Sequence, residues 1–416
     1  MKCKKDIIKD ASGFKAVNAF IFAGSFSLGT IEAGFDLQKV LEISDSQLCE
    51  NAFFFKHNVK DVPVVLPKEW ENEQYLATIG KDNIDLMCCN CPCSSLSQIN
   101  RNASIDGKNN VHFYRLFNIF RYVKPKVFII ENAPTLIKLG YPILKDMVSK
   151  LSSSYKFTVV RDYAGNHCVP MSRQRTLVFG WRNDIFKTIP IVKQDLHEHM
   201  AVKDTIGDII DDTTDDFKST TSDDIRDLYE YAIPGYSLMS GLAIRWLKDE
   251  NGFCKMLESR LESSHHLREV KRIAGKMSSK KNCWDKSPYK LVLDERFPSF
   301  TSVSEYLHPV QDRMLNMKEL KRIMNYPEWY DFSDEKHECT IPVSQAIAQG
   351  VPVNFGKYAA IQARNALEGK LQCIEDDSAI LSFQHHSKHL MSTFAVDEAY
   401  AMNELDLNEK TFVLKD

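Results

Sequence analysis

Short apolar runs alternate with amphipathic stretches along the first 184 residues of the chain. The runs are rich in the branched and aromatic side chains that favour strands, and they occupy residues 16–22, 37–43, 83–89, 126–131, 156–163 and 176–181. Between them, apolar residues recur at helical spacing at residues 46–57, 111–123 and 142–151. Such alternation is typical of βαβ units, so the pattern predicts an α/β fold whose sheet carries helices on both faces.

The alternation is lost between residues 183 and 294. There, Ile233-Pro234-Gly235 indicates a turn, and residues 265–290 hold eight Lys or Arg against two Asp or Glu. Helical spacing returns at residues 317–324 and 355–367. We therefore expect a first domain at 1–184, a smaller irregular domain at 185–305, a segment at 306–365 that completes the first domain, and an acidic C-terminal extension at 366–416.

Composition narrows the class of protein. The 416 residues are 44% hydrophobic and 26% charged, which predicts two or three globular domains and excludes a disordered chain. No apolar stretch is long enough for a membrane span or a secretory leader, so we expect neither. Eleven cysteines, an odd number, fit a reducing compartment. The net charge of −3 means that a nucleic-acid partner would have to meet a local basic face.

The first candidate site follows the first strand. Phe22-Ala23-Gly24-Ser25 is a turn of small residues, and Glu42-Ile43 closes the second apolar run, with Glu42 18 residues after Gly24. Small residues let a backbone approach a ligand closely, and an acid at the tip of the second strand can accept hydrogen bonds from both ribose hydroxyls. Taken alone, a tight turn and a solvated carboxylate explain the same residues.

A second candidate is the cysteine-rich segment around Asn90-Cys91-Pro92-Cys93, directly after a buried strand. A thiol at the carboxyl end of a parallel strand lies where α/β proteins carry out chemistry, and nearby positive groups can ionise it. The preceding Cys88 and Cys89 are expected in the core. Because no second Cys or His pair stands at zinc spacing, we predict no metal site.

Two further segments supply charged groups. Glu131-Asn132 ends the apolar run at residues 126–131, and Arg173 and Arg175 precede the last strand with one residue between them. The same end of the sheet would thus receive a carboxylate together with arginines suited to an anion or a base edge. A helix-terminal charge and a surface ion pair are the plainer interpretations of these residues.

The order of these elements resembles the cytosine-5 DNA methyltransferase family. Each match alone is weak, but together they follow that family's order from residue 16 to 365 and leave out only the irregular region. The first motif of the family is similar to Phe22-Ala23-Gly24 with Glu32-Ala33-Gly34-Phe35, its ribose acid to Glu42, and its adenine segment to Lys60-Asp61-Val62. The catalytic loop is similar to Pro92-Cys93 with Ser97, the motif after it to Glu131-Asn132, and the paired-arginine motif to Arg173 with Arg175. Arg313, Leu315, Lys318-Glu319, Arg322-Ile323 and Tyr326-Pro327 resemble the penultimate motif, and Ile347-Ala348-Gln349-Gly350-Val351-Pro352 the last.

The resemblance implies a Rossmann-like, doubly wound mixed sheet that binds S-adenosylmethionine, with a smaller target-recognition domain at 185–305. It makes Cys93 the nucleophile and Glu131 the acid, with Arg175, Arg173, Asn132 and Pro92 around them. The donor would be held by Phe22, Ala23, Gly24, Ser25, Glu42, Ile43, Asp61, Val62 and Gln349. Two departures stand on the donor side: the glycine turn is two residues short, and Gln349 and Ala348 replace an Asn and a Gly.

The expected substrate is a cytosine flipped out of double-stranded DNA. The loop at residues 94–110, with Arg101 and Lys108, would close over it, and residues 265–290 would contact phosphates. We expect a monomer in the cytoplasm of a prokaryotic or phage-infected cell. A restriction endonuclease would be a partner, although nothing in the sequence identifies it. Three alternatives stay open: the same chemistry on RNA, a donor altered at its transferable group, and a DNA-binding homologue without catalysis.

Overall fold

A computed structural model describes most of the chain. The described residues are 4–7, 12–44, 51–97, 100, 102–195, 197, 199–211, 223–262, 264–280, 287–300, 305–332, 343–386 and 411–415. They form two compact units. The first contains residues 1–199 and 324–416, and the second contains residues 200–323. Each unit is built around its own secondary structure.

The first unit contains a nine-stranded mixed sheet in the order β11-β10-β6-β7-β5-β4-β1-β2-β3. Strand β7 runs antiparallel to both of its neighbours, and β11 is antiparallel to β10, while the other described pairs are parallel. The strands are β1 (Lys15–Ala19), β2 (Asp36–Leu41), β3 (Val64–Val65), β4 (Leu86–Asn90), β5 (Val127–Asn132), β6 (Tyr155–Tyr163), β7 (Gln174–Arg182), β10 (Ala379–His385) and β11 (Thr411–Lys415).

The helices of the first unit cover this sheet. Those described are α1 (Lys4–Ile7), α2 (Ser25–Glu32), α3 (Asn51–Asn58), α4 (Pro67–Trp70), α5 (Glu73–Lys81), α6 (Val111–Val123), α7 (Tyr141–Leu151), α14 (Val343–Gln349) and α15 (Val353–Leu367). Helix α6 buries Phe113, Leu116, Phe117 and Phe120 at helical spacing against the sheet. On α2, Gly29 leaves room for α15, since a Cβ there would lie 2.4 Å from the Lys357 backbone nitrogen.

The sequence pattern located six of the strands to within a few residues. The first strand, predicted at residues 16–22, is observed at Lys15–Ala19 and so ends three residues earlier. Residues 20–24 instead form the turn at the sheet edge, where Phe20 and Phe22 have positive φ angles of 58° and 50°. The helix predicted at 46–57 is described only from Asn51 onward, and residues 45–50 lie outside the described part.

The second unit is more regular than its sequence indicates. It contains α8 (Lys203–Ile206), α9 (Asp223–Arg226), α10 (Leu238–Lys248), α11 (Phe253–Leu261), α12 (His265–Ser278), α13 (Met317–Ile323) and a small parallel sheet of β8 (Tyr289–Lys290) and β9 (Tyr306–Leu307). Helices α10, α11 and α12 share an apolar core that includes Leu242, Leu257 and Val270. Residues 265–278 of the basic stretch thus form an amphipathic helix, whose apolar face supports the unit.

The C-terminal extension adds strands that the pattern did not predict. In β10, Ala379, Leu381 and Phe383 are buried, as are the polar residues Ser382 and Gln384, and the strand pairs in parallel with β6. Within the described residues, no helix is long and apolar enough to cross a membrane.

Candidate functional site

The candidate site lies where the parallel strands β4 and β5 end. The two strands are adjacent, their register pairs Asn90 with Glu131, and both side chains are almost fully buried. Because register partners in neighbouring strands project to the same face, the sequence brings a carboxylate beside the last residue before the cysteine loop. The carboxyl ends of parallel strands are the usual place for chemistry in this fold class.

Two groups contact the Glu131 carboxylate, one at each oxygen. Asn90 Nδ2 donates a hydrogen bond of 2.9 Å to Glu131 Oε2. Arg175 Nε, on a partly buried side chain, lies 2.8 Å from Glu131 Oε1 as an ion pair. The N–H does not align with that oxygen, and Oε1 accepts no hydrogen bond from a described residue. Oε1 therefore keeps an unused acceptor position beside Arg175.

The four clustered cysteines differ in burial. Burial raises the pKa of Cys88 to about 12. Burial also raises the pKa of Cys91 well above its usual range, and the neighbouring Cys89, Cys93 and Glu131 charges add to the effect. Cys93 is a free thiol and is partly exposed, and the preceding residue, Pro92, is also partly exposed. Cys88, Cys89 and Cys91 are buried, so Cys93 is the cysteine of this cluster that a ligand could reach.

Asn132 ties the cysteine loop to the strand that carries Glu131. Its Nδ2 donates to the Cys91 carbonyl over 3.0 Å, and its Oδ1 accepts from the Ala133 backbone N–H at 2.9 Å. Both bonds are buried, so the side chain is held in one orientation. The loop before Pro92-Cys93 is fixed relative to the acid.

The two predicted arginines occupy different environments. Arg175 contacts Glu131, whereas Arg173 is buried and donates from Nη1 to the Ala348 carbonyl at 3.1 Å. Arg173 therefore holds the end of α14, which is also where the partly buried Gln349 lies. The contacts described for the two arginines thus lie with different elements, and their expected action on an anion or a base edge stays a prediction.

The loop at residues 94–110 is internally bonded where it is described. Ser95 accepts a hydrogen bond from the Asn109 backbone N–H at 3.2 Å, and Asn110 Nδ2 donates to the Ile105 carbonyl at 2.6 Å. Lys108 is exposed, while Arg101 lies outside the described residues. The loop begins directly after Cys93, so its first residues flank the thiol.

The turn that leads into α2 forms a cradle at the next strand end. Gly24 has a φ of 85°, and a Cβ there would lie 2.5 Å from Phe55 Cδ2, so only glycine fits. The Ala23 carbonyl accepts hydrogen bonds from Tyr330 and Tyr326, at 2.7 and 3.4 Å. Gly350, in the last motif, lies close to Ser25: a Cβ added at Gly350 would lie 2.5 Å from Ser25 Oγ. Phe22 is partly exposed at the mouth of this turn.

Glu42 follows β2 as a buried carboxylate with a vacant acceptor. Its Oε1 accepts from the Ile43 backbone N–H at 2.6 Å, and its Oε2 is buried without a hydrogen bond from any described residue. Burial raises the pKa of Glu42 to about 7, against the effect of the Ile43 hydrogen bond. A buried acceptor without a donor carries a free-energy cost that a ligand hydroxyl would relieve. Asp61 is exposed and Val62 is buried beyond it.

Sequence reasoning missed two residues of the site. Asn90 received no role of its own within the cysteine-rich segment, although its place at the end of an apolar strand is a signal. Tyr330, whose hydroxyl donates to Ala23, lies 307 residues away in the chain, and no local pattern indicates that contact. No cluster of three or more His, Cys, Asp or Glu within the described residues could hold a metal ion.

Comparisons with known proteins agree on one family. Residues 14–364 match the family model for C-5 cytosine-specific DNA methylases. The chain is 25% identical over 382 residues to the type II methyltransferase M.XorII of Xanthomonas oryzae pv. oryzae, which covers 85% of each chain. It is 22% identical to the type II methyltransferase M.PspPI of a Psychrobacter species, over 88% of this chain and 83% of that one.

Solved structures show the same fold. A DNA modification methyltransferase encoded within an E. coli prophage superimposes with a TM-score of 0.55 at 16% identity, over 86% of this chain and all of the other. The DNMT2 structure of Spodoptera frugiperda superimposes with a TM-score of 0.51 at 12% identity, over 85% of this chain and 100% of that one. At these identities the likeness concerns the fold alone.

Proposed function

The chain belongs to the C-5 cytosine-specific DNA methylase family and is a DNA cytosine-5 methyltransferase that uses S-adenosylmethionine; from this premise, we propose that Cys93 is its nucleophile and Glu131 its acid. The observation that carries these roles is the site at the ends of β4 and β5. There a partly exposed thiol follows the register partner of a buried carboxylate, and one carboxylate oxygen accepts no hydrogen bond from a described residue.

The chemistry requires an attack on the ring before methylation. Carbon 5 of cytosine is a weak nucleophile, so the Cys93 thiolate adds to carbon 6, and the electrons of the ring double bond move toward carbon 5 and nitrogen 3. Carbon 5 then forms a bond to the methyl group as the sulfonium carbon–sulfur bond breaks. Loss of the carbon 5 proton to water and departure of the Cys93 thiolate restore the aromatic ring.

Glu131 would stabilise the charge that develops on the ring. Its Oε1 forms the ion pair with Arg175. When the carboxyl group is protonated, it would donate a hydrogen bond to nitrogen 3 and accept one from the exocyclic amine. Arg175 would then hold the base carbonyl. Asn132 and Pro92 would keep the cysteine loop in register, and Arg173 would act through α14 rather than on the base, given its bond to Ala348.

The residues on the donor side fit an adenosine-containing ligand that supplies an electrophilic methyl group. The vacant Oε2 of Glu42 suits a ribose hydroxyl. The Gly24 turn lets the backbone approach, and Ser25 begins α2, whose N-terminus favours a carboxylate. Phe22, Ala23, Ile43, Asp61 and Val62 would surround the adenosine, with Gln349 at the methionine end.

We further propose that the substrate is duplex DNA and that the target-recognition region lies in the second unit, which corresponds broadly to the predicted segment 185–305. A base inside a duplex cannot reach Cys93, so the nucleotide must be flipped out. The type II names of the bacterial relatives support a restriction endonuclease that recognises the same sequence. A monomer would suffice, because the proposed catalytic residues all lie on one chain.

The test of the nucleophile uses duplex DNA with 5-fluorocytosine at the target. After methyl transfer, fluorine cannot leave carbon 5 as a proton does, so the adduct should persist and survive denaturation. We expect wild-type protein and Cys91→Ala to form it and Cys93→Ala not to form it. Adduct mapped to Cys91, or none on a duplex that is methylated normally, would contradict the assignment. A homologue without catalysis would neither methylate DNA nor form the adduct.

Two finer alternatives are decided by product analysis. Tritium transfer to DNA, but not to transfer RNA, is expected. The altered-donor proposal rests on Gln349, whose longer amide would hydrogen-bond additional oxygens on the transferred group. Mass analysis of the modified nucleoside, with S-adenosylmethionine and a carboxylated derivative supplied in turn, separates the two donors. If 5-methylcytosine is the only product when the two donors are supplied in equal amounts, the altered-donor proposal is wrong.

A further inference from the structure

We infer that Asn90 is a positioning residue for catalysis, because it fixes the Glu131 carboxylate so that Oε1 faces the base. The inference rests on the proposed role of Glu131 and adds a residue to it. Asn90 ends β4 three positions before Cys93, opposite Glu131 in the register. Its side chain is 1% exposed, so water does not compete for its hydrogen bonds.

The orientation of the Asn90 amide follows from its partner. Glu131 Oε2 acts as an acceptor whether or not Oε1 carries the proton that would serve nitrogen 3, so the NH₂ group must face Oε2, at 2.9 Å. The opposite atom, Asn90 Oδ1, is buried and accepts no hydrogen bond from a described residue. Glu131 is thus the one described partner of this amide group, and leaving Oδ1 unsatisfied carries a cost that a structural asparagine would avoid.

A second amide makes the same connection in the opposite direction. Asn132 on β5 donates to the Cys91 carbonyl in the loop after β4, while Asn90 on β4 donates to Glu131 on β5. The two bonds join the strand of the acid to the loop of the nucleophile. They hold Glu131 relative to Cys93, a requirement because misplacing a reacting group by about 1 Å can cost 100-fold in rate.

The Asn90 bond also divides the two carboxylate oxygens between two tasks. Oε2 is occupied by the amide, so rotation of the carboxyl group would break a buried bond to a charged acceptor. Oε1 remains beside Arg175 Nε and accepts no hydrogen bond from a described residue, so its acceptor position is left for a substrate. Without Asn90, either oxygen could turn toward Arg175, and the geometry at nitrogen 3 of the base would no longer be fixed.

The primary test is Asn90→Leu, which is similar in size and lacks the donor. We expect kcat to fall about 10- to 100-fold, as for loss of a hydrogen bond to a charged group, while the Kd values for donor and DNA stay within about twofold. The matched control is Asn183→Leu. That amide donates to the Ser152 carbonyl at 3.0 Å, at the opposite end of the sheet, and its loss should leave kcat unchanged.

A double-mutant cycle separates this inference from the proposed function. If Asn90 acts through Glu131, then Asn90→Leu should have little further effect on single-turnover rates in a Glu131→Ala background. An equal effect in both backgrounds would overturn the positioning role. If Glu131→Ala itself leaves turnover unchanged, the proposed acid is wrong; if it lowers turnover but Asn90→Leu does not, only the role of Asn90 is wrong.

The isosteric variant Asn90→Asp keeps the test valid if the leucine variant fails to fold. A protonated Asp at this position can donate to Glu131 as the amide does, whereas an ionised one repels it. We expect turnover that falls steeply with rising pH and recovers part of the wild-type rate at the acid end. A pH–rate profile parallel to that of the wild type, at any level of activity, would contradict the inference.

Discussion

At the scale of single residues, Glu42 combines a cost to folding with a proposed binding role. Its carboxylate is buried, one oxygen accepts from Ile43, and the other has no described donor. Burial raises the pKa of Glu42 from 4.5 to about 7. Since the folded state binds this proton more tightly than the unfolded state, its contribution to stability is present at low pH and declines as pH rises through about 7.

Glu42→Gln should therefore make the donor-free protein more stable at pH 8. We expect the free energy of unfolding to exceed that of the wild type by about 2 kcal/mol at pH 8 and to match it near pH 5. Donor affinity should fall about tenfold or more at pH 8, because an amide replaces the charged acceptor. Urea unfolding and donor titration at both pH values provide the measurements.

The control for this prediction is Glu375→Gln, which alters an exposed carboxylate of the same type. Glu375→Gln should change neither the free energy of unfolding nor the affinity for the donor. If Glu42→Gln reduced stability equally at pH 5 and pH 8, the burial of an ionised carboxylate would not be the cause, and the vacancy at Oε2 would lose its significance.

At the scale of elements, α12 is a helix whose many basic residues make its apolar periodicity hard to detect in the sequence. Leu267, Val270, Ile273 and Ala274 are buried at helical spacing, and the Ser264 side chain caps the first turn by accepting from the Leu267 N–H. The many basic residues dominate the sequence pattern there and mask the apolar period. Four of fourteen residues suffice to anchor the helix because they all fall on one face.

The basic side chains of α12 and its C-terminal flank are not equivalent. Lys271 forms a 2.8 Å ion pair with Glu258, and Arg272 pairs with Glu269. Arg268 and Lys280 are exposed, so they are better placed to meet phosphates. Replacing both with Ala should weaken binding to every duplex and lower the slope of log K against log salt by about 0.9 for each phosphate that is no longer neutralised.

Preference for the target sequence should survive in that double variant, as phosphate contacts carry no sequence information. Lys271→Ala, whose charge is already paired, should change the salt slope less. Binding titrations at several salt concentrations, with target and non-target duplexes, measure both quantities. A loss of binding confined to the target duplex would mean that these side chains read base edges.

Strands β4 and β5 could be predicted because their burial is complete. Both are buried at every position, which produces an apolar run and places Cys93 and Glu131 at its end. In contrast, β10 has only a short apolar run, Ala379 to Leu381, before Ser382, and it lies within a polar tail. Contacts such as Arg173 with Ala348 join residues 175 positions apart, and no local spacing encodes them.

At the scale of the whole molecule, a buried ionic cluster joins the C-terminal extension to the sheet. Asp162 lies near the end of β6, and its Oδ2 is 3.0 Å from His167 Nε2 and 2.8 Å from His386 Nδ1. His386 directly follows β10, and its backbone N–H donates to the Arg161 carbonyl at 3.0 Å. Burial raises the pKa of Asp162, but the hydrogen bonds from both histidines outweigh this effect and hold the pKa well below its usual range.

The sign of this shift determines when the cluster stabilises the fold. A depressed carboxyl pKa contributes stability above the ordinary value of 3.8, and that stability is lost as pH falls below it. His386→Leu should therefore lower the free energy of unfolding by about 1–3 kcal/mol at pH 7, since a buried charge loses a donor. The difference from the wild type should shrink as Asp162 becomes protonated.

Urea unfolding at pH 7, 4 and 2 tests this prediction against a histidine whose pairing with an aspartate is exposed. His197 lies 3.0 Å from Asp195, with side chains 44% and 56% exposed, and His197→Leu should change stability little at any pH because exposed pairs contribute little. A His386→Leu deficit that stayed constant down to pH 2 would assign the effect to packing of β10 rather than to Asp162. A deficit that fades with acid would instead establish that residues 224 positions apart in the chain are joined through one carboxylate.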